Sequence, residues 1–160
     1  MALFSRPFQV KRRRDGTFEL TVDADLRGDL EHLFGQLDEL LEQAPDDPAM
    51  RRLQPPAYLD DPDAEAAYRL LAGDELRTKR REAIDVVRAT LDRERLSEDD
   101  LWAWMQSINA LRLVLGTRLD VSEDGDLGAH LEPDDPDAPL VAAYELLTVL
   151  QFLVIQALGG

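Results

Sequence analysis

Leu140 to Leu158 reads LVAAYELLTVLQFLVIQAL, a run with a single charge, Glu145. A segment this long and this apolar could span a bilayer. Glu145, Thr148, Gln151 and Gln156 interrupt it, however, and no Lys or Arg stands at either flank to orient a span. A helix that is apolar all round equally belongs to the core of a bundle. That second reading is the better one, and it sets the fold. The chain is expected to be mainly α, a single helical bundle of four to five helices with an N-terminal β-hairpin and no membrane segment. Tyr144, Leu147, Gln151 and Val154 lie on the part of this helix expected to serve core or oligomer contacts.

Working back from that helix, the apolar spacing places the others. Asp23 caps a helix through about Gln43, in which Leu26, Leu30, Leu33, Leu37 and Leu40 step by four and three, widened by Phe34 and Leu41. APDDPAM, Ala44 to Met50, ends it; a short helical piece and a Pro55-Pro56 break follow. Asp61 caps the next helix, with Pro62 at its first position. Gly73 is expected to end that helix, and Asp74 to start another that reaches about Arg95. Ser97 with Asp100 makes a variant capping box. The helix it opens turns Leu101, Trp104, Met105, Ile108, Leu111 and Leu115 inward and stops near Gly116. An acidic connection, about 119–138, leads to the last helix. The whole of 1–160 reads as one domain, with a hairpin at 7–22 and a helical core at 24–158.

The hairpin comes from VKRRRDGTFEL, Val10 to Leu20. A three-residue loop, Arg14-Asp15-Gly16, with Gly16 at the positive-φ bulge position, gives a consistent register. Phe8 then faces Val22, Val10 faces Leu20 and Arg12 faces Phe18, all on one side. Lys11 meets Glu19 on the other side as an opposite-charge pair. Two strands alone are marginal in water, so the apolar side must rest on helices.

Charge and composition narrow the function. The chain has 160 residues, 33 acids and 18 bases, for a net charge of −15. That excess opposes general nucleic-acid binding. The distribution is polar: residues 1–14 hold five bases and no acid, whereas 119–160 hold nine acids and no base. Lys11, Arg12, Arg13 and Arg14 therefore form the candidate contact with a partner or with nucleic acid. There is no cysteine, which removes disulfides, thiol catalysis and any internal thiol switch. The N-terminus lacks the apolar core of a secretory signal, and the expected location is cytoplasmic.

No constellation for catalysis emerges, and neither a cofactor nor a metal is expected. His32 and His130 are far apart and read as surface histidines. No Gly-rich phosphate loop or nucleophile elbow is present. Asp120 to Asp126 mimics the start of a calcium loop, but position twelve is Leu131 where a bidentate Glu is needed. Arg77, Arg81, Arg88 and Arg95 could form a basic stripe. Glu75 four before Lys79, Arg81 four before Asp85 and Arg88 four before Asp92 read instead as an ion-paired, solvated face. Asn109 and Arg112 stand out as a polar cluster of structural character, and an enclosed Arg112 calls for a carboxylate partner.

Four segments carry a family resemblance: YLDDPDAEAAYRLL (58–71), LRTKRREAIDVVRATL (76–91), WAWMQSINALRLVLGTRLDVSEDGD (102–126) and AYELLTVLQFLVIQAL (143–158). In this order the chain resembles the actinobacterial domain-of-unknown-function 2017 family, which includes oxidative-stress transcriptional regulators. The resemblance implies a cytoplasmic, non-enzymatic regulator that contacts the transcription machinery, with a sigma factor among the candidate partners. A cysteine-based redox switch has no residue to act through here. Met1, Met50 and Met105 are a weak basis for a methionine-oxidation switch. Two other readings stay open: direct DNA binding through the basic hairpin, and an oligomeric adaptor without a transcriptional role. A homodimer joined by the last helix is expected.

Overall fold

The computed structural model describes residues 7–53, 60–119 and 134–159. Its strands are β1 (Phe8–Arg12), β2 (Phe18–Val22) and β3 (Arg95–Leu96). The helices are α1 (Ala24–Gln43), α2 (Pro62–Thr90), α3 (Glu98–Arg118) and α4 (Ala138–Gly159), with a 3₁₀ turn at Pro48–Met50. The protein is mainly α, as the apolar periodicity requires. The acidic connection, including His130 and the calcium-loop-like segment, lies largely outside the described residues, as does the Pro55-Pro56 break.

The hairpin has the predicted register, Phe8 against Val22, Val10 against Leu20, Lys11 against Glu19 and Arg12 against Phe18. Gly16 sits at φ 87°, a conformation that side chains with a Cβ rarely adopt, and the Arg13 N–H donates to Thr17 O at 2.8 Å to close the loop. Asp15 tightens the tip by accepting from the Thr17 N–H and hydroxyl. The sheet is larger than a hairpin. Arg95–Leu96, expected at the end of a helix, pairs antiparallel with Glu19 and Phe18 as a third strand. The sheet order is β1-β2-β3. Phe8, Phe18, Leu20 and Val22 are buried by their docking on the helices, and the Phe8 ring meets Trp104 with centroids 6.0 Å apart.

Local chemistry fixes the helix starts. Asp23 accepts from the Leu26 N–H, Asp61 from the Ala64 N–H, and Ser97 with Asp100 forms the reciprocal capping box. The break at Gly73 does not occur: α2 runs uninterrupted for 29 residues. A glycine inside a helix costs only about 1 kcal/mol relative to alanine, too little to end a segment flanked by strong helix formers. The buried residues of α2 all lie in its last two turns, at Ala83, Ile84, Val87 and Thr90. Leu70 and Leu71 are more than four-fifths exposed, so the N-terminal half of α2 carries apolar side chains into solvent.

Helix α3 is the hub, packed against α4, α2, α1 and the 3₁₀ turn. Leu101, Trp104, Ile108, Leu111 and Leu115 fill the core, and the helix passes Gly116 to end at Arg118. The fully buried Trp104 indole donates to Thr90 Oγ1 at 2.8 Å, and that hydroxyl donates to Val86 O at 2.7 Å. On α1 the buried stripe is Leu26, Leu30, Phe34, Leu37 and Leu41, with Leu33 and Leu40 only half-buried. Leu26, Leu30, Phe34, Leu37, Trp104, Leu115, Leu147 and Val154 belong to one continuous apolar core.

Candidate functional site

The basic run splits into different roles. Arg12 turns back along the sheet: its guanidinium lies over the Phe18 ring, 5.2 Å from the centroid, and donates to Leu158 O at 2.6 Å and Ala157 O at 3.3 Å. It therefore closes the C-terminus of α4, where carbonyls lack intrahelical donors and the helix dipole favours a cation. Arg13, not Lys11, is the ion-pair partner of Glu19. The Cα register does set Lys11 opposite Glu19, but the longer, forked Arg13 side chain reaches the carboxylate along the strand. Lys11 and Arg14 remain exposed with no ion pair among the described residues. Arg95 reaches Asp15 at 3.4 Å across the sheet.

The basic stripe of α2 is also engaged: Arg77 pairs within its own helix with Asp74, and the other two reach across to a neighbouring helix. Arg81 pairs with Asp38 at 3.0 Å and Glu42 at 3.4 Å, and Arg88 pairs with Glu31 at 2.8 Å. These partners sit on α1, so the cations clamp α1 to α2, in place of the expected pairs with Asp85 and Asp92. The hydrogen bond from Arg81 to Asp38 holds that guanidinium above its usual range, and Glu31 does the same for Arg88. Lys79 does pair with Glu75 at 3.3 Å, as the spacing predicts.

Between α3 and α4 the polar residues of the two helices form one cluster. Arg112 donates to Thr148 Oγ1 at 3.1 Å, to Tyr144 OH at 3.3 Å and to Gln151 Oε1, and its guanidinium lies 5.1 Å from the Tyr144 ring centroid. Gln151 Nε2 donates in turn to Asn109 Oδ1 at 3.2 Å. Among the described residues no carboxylate takes part. Arg112 is only half-buried, so three neutral acceptors and an aromatic face suffice where a sealed site would need an anion. Sequence reasoning gives Thr148 no place in this cluster, although Tyr144, Thr148 and Gln151 follow one another on a single face of an otherwise apolar helix.

Helix α4 is long and apolar enough to cross a membrane by length and composition. It is not buried all round, as a core helix would be. Only Val141, Leu147, Leu150 and Val154 are buried, so Leu147 and Val154 are core residues and not available to a partner. Away from this stripe Val149, Phe152 and Ile155 are each more than half exposed. Their C-terminal neighbours Ala157 and Leu158 accept the Arg12 hydrogen bonds, so this apolar surface runs up to the basic hairpin. His32 is exposed on α1, and among the described residues no group of three or more His, Asp or Glu is placed to hold a metal ion.

Fold and surface together define a small acidic helical protein with a docked hairpin and an exposed apolar helix face. The chain belongs to the DUF2017 family, a domain of unknown function whose family model matches residues 5–158. Two similar proteins, from Mycobacterium bovis and Mycobacterium tuberculosis (strain H37Rv), are named "Oxidative stress regulator AosR"; each is 35% identical over 136 residues, covering 74% of this chain. The chain spans 62% of the length of these relatives. No solved structure matches it.

Proposed function

We propose that this chain is a cytoplasmic, non-catalytic regulator that works by binding protein, with the transcription machinery as its target and a sigma factor as the first candidate. The observation that carries this reading is the exposed apolar face of α4, Val149, Phe152 and Ile155, in a chain whose relatives are named regulators. Apolar side chains grouped on one helix face mark an interaction surface, whereas scattered ones do not. Lys11 and Arg14 at the nearby hairpin, without an ion pair among the described residues and set against a net charge of −15, orient the approach of a partner more than they tighten its hold. The same face supports homodimerisation.

Crosslinking with mass spectrometry in the native host, comparing wild type with Phe152→Asp, tests the reading. Crosslinks from α4 to a polymerase subunit or sigma factor, lost in the variant, are the expected result. Crosslinks that never include the transcription machinery would overturn it. Light scattering at high micromolar concentration tests the dimer, which Phe152→Asp should convert to monomer. A second reading, DNA binding by the hairpin, is weakened by Arg12 and Arg13 being engaged within the fold. The two hairpin cations left unpaired among the described residues would give a log–log salt slope of only about −1.8, against about −3.6 for four.

A further inference from the structure

The exposed side of α4 has an order that its apolar residues alone do not show. Ala142, Glu145, Val149, Phe152, Gln156 and Gly159 are all exposed, and they follow one another at steps of three, four, three, four and three. Alternation of three and four draws a straight seam along a helix, the spacing at which two helices pack side by side. The core residues Leu147, Leu150 and Val154 lie on the opposite side of α4. The seam also has the same chemical character read from either end. Ala142 and Gly159 are small, Glu145 and Gln156 are polar and nearly equal in shape, and Val149 and Phe152 are apolar at the centre. A two-fold axis between Leu150 and Gln151 therefore sets Val149 on Phe152 of a second copy, Glu145 beside Gln156 and Ala142 beside Gly159, each contact made twice.

Charge selects the antiparallel sense. Glu145 is the single charge on α4, so two chains of net charge −15 can meet along this helix with little repulsion. Parallel pairing would stack Glu145 on its own copy and bring the two basic hairpins together. Antiparallel pairing places Glu145 beside a neutral amide that can donate to it. It also carries Asp134, Asp135 and Asp137, which lead into α4, to the C-terminal end of the other α4. That is the end to which Arg12 ties the hairpin, with Lys11 and Arg14 exposed nearby. A bilayer suits the face less well, because an interfacial helix is rimmed by cations, whereas α4 bears none and follows a run of acids.

We propose that a second copy of this chain covers the α4 face, the two helices antiparallel about an axis between Leu150 and Gln151. This rests on the reading of α4 as an interaction face and specifies the occupant and its register. Self-pairing and a regulatory partner then compete for the same side chains.

A chain without cysteine allows disulfide trapping to test the register directly. Purified full chains carrying Glu145→Cys, isotopically heavy, and Gln156→Cys, light, are mixed, oxidised with diamide and read by mass. In the antiparallel pair these two positions are level, whereas each lies about 16 Å along the axis from its own copy, beyond disulfide reach. The mixed disulfide should therefore exceed each same-site product roughly tenfold. Both substitutions are at exposed positions and leave the core untouched. Adding Phe152→Asp to both chains should bring the mixed product down to the same-site level, and Lys11→Glu with Arg14→Glu should lower it several-fold. A same-site Glu145→Cys product equal to the mixed one would overturn the proposal, as would a mixed yield unchanged by either set of variants. A wild-type chain that stays monomeric at high micromolar concentration would leave the face to another protein. One that sediments with phosphatidylglycerol vesicles as a monomer would assign it to a bilayer, and either result also sinks the pairing. Trapping uses the purified chain alone, so its outcome is independent of whether α4 crosslinks to the transcription machinery in the host.

Discussion

Replacing Arg12 by Met separates the two roles that a basic hairpin can have. If the cation is held for a partner, its removal leaves the free protein unchanged. The geometry says otherwise. Arg12 bridges the C-terminal carbonyls of α4 at 2.6 Å and 3.3 Å and covers the Phe18 ring, itself fully buried beneath it. Charged hydrogen bonds contribute about 1.5–3 kcal/mol when shielded from water, and these are exposed, so about 1 kcal/mol is the appropriate share. The cation–π contact adds about 0.5–1 kcal/mol, and the interaction with the helix terminus a few tenths more. Methionine retains much of the apolar stem, leaving a net loss of about 2 kcal/mol. For a chain of this size that lowers Tm by about 4–8 °C. Urea denaturation monitored by circular dichroism measures it, with Lys11→Met and Arg14→Met as controls expected to stay within about 0.5 kcal/mol of wild type. Hydrogen exchange should also quicken in the last turn of α4. An Arg12→Met midpoint equal to that of Arg14→Met would refute the reasoning and return Arg12 to the pool of free contact residues.

Other outcomes follow from the same geometry. Thr90→Val leaves the buried Trp104 indole N–H without an acceptor and should destabilise by about 1–3 kcal/mol in urea unfolding, with a shifted tryptophan emission. Arg112→Met and Gln151→Leu should each destabilise, but in a double-mutant cycle they should couple by about 0.5–3 kcal/mol, because Gln151 accepts from Arg112 directly. Asp15 is held below the usual carboxylate range chiefly by the Thr17 hydroxyl, then by the Thr17 N–H. A depressed folded-state value contributes stability above the ordinary carboxylate pKa, which is lost as pH falls through the lowered one. Exchange of the Thr17 amide should therefore accelerate below about pH 4, and Asp15→Asn should flatten that acid limb.

Much of the candidate site is legible in the sequence. Asn109, Arg112, Tyr144 and Gln151 are polar residues in strongly apolar helices, and that contrast alone singles them out. Their assembly into one cluster is not legible there, because it depends on how α3 and α4 meet. The expected carboxylate partner of Arg112 illustrates the limit. Burial decides whether a cation needs an anion, and burial belongs to the packed molecule.

Sequence by itself determined the features governed by near neighbours. Apolar spacing of three and four defined the helices, Asp23, Asp61 and Ser97 their starts, and Gly16 the hairpin loop and hence its register, since each depends on groups a few bonds apart. Tertiary structure decided everything that turns on distant chain segments. It joined α2 across Gly73, recruited Arg95 and Leu96 into the sheet, and turned Arg81 and Arg88 from a solvated stripe into a clamp on α1. It also directed Arg12 to the end of α4 and left Val149, Phe152 and Ile155 exposed. A charged side chain several bonds long can satisfy any of several partners, and only the packing of the helices selects which one it reaches.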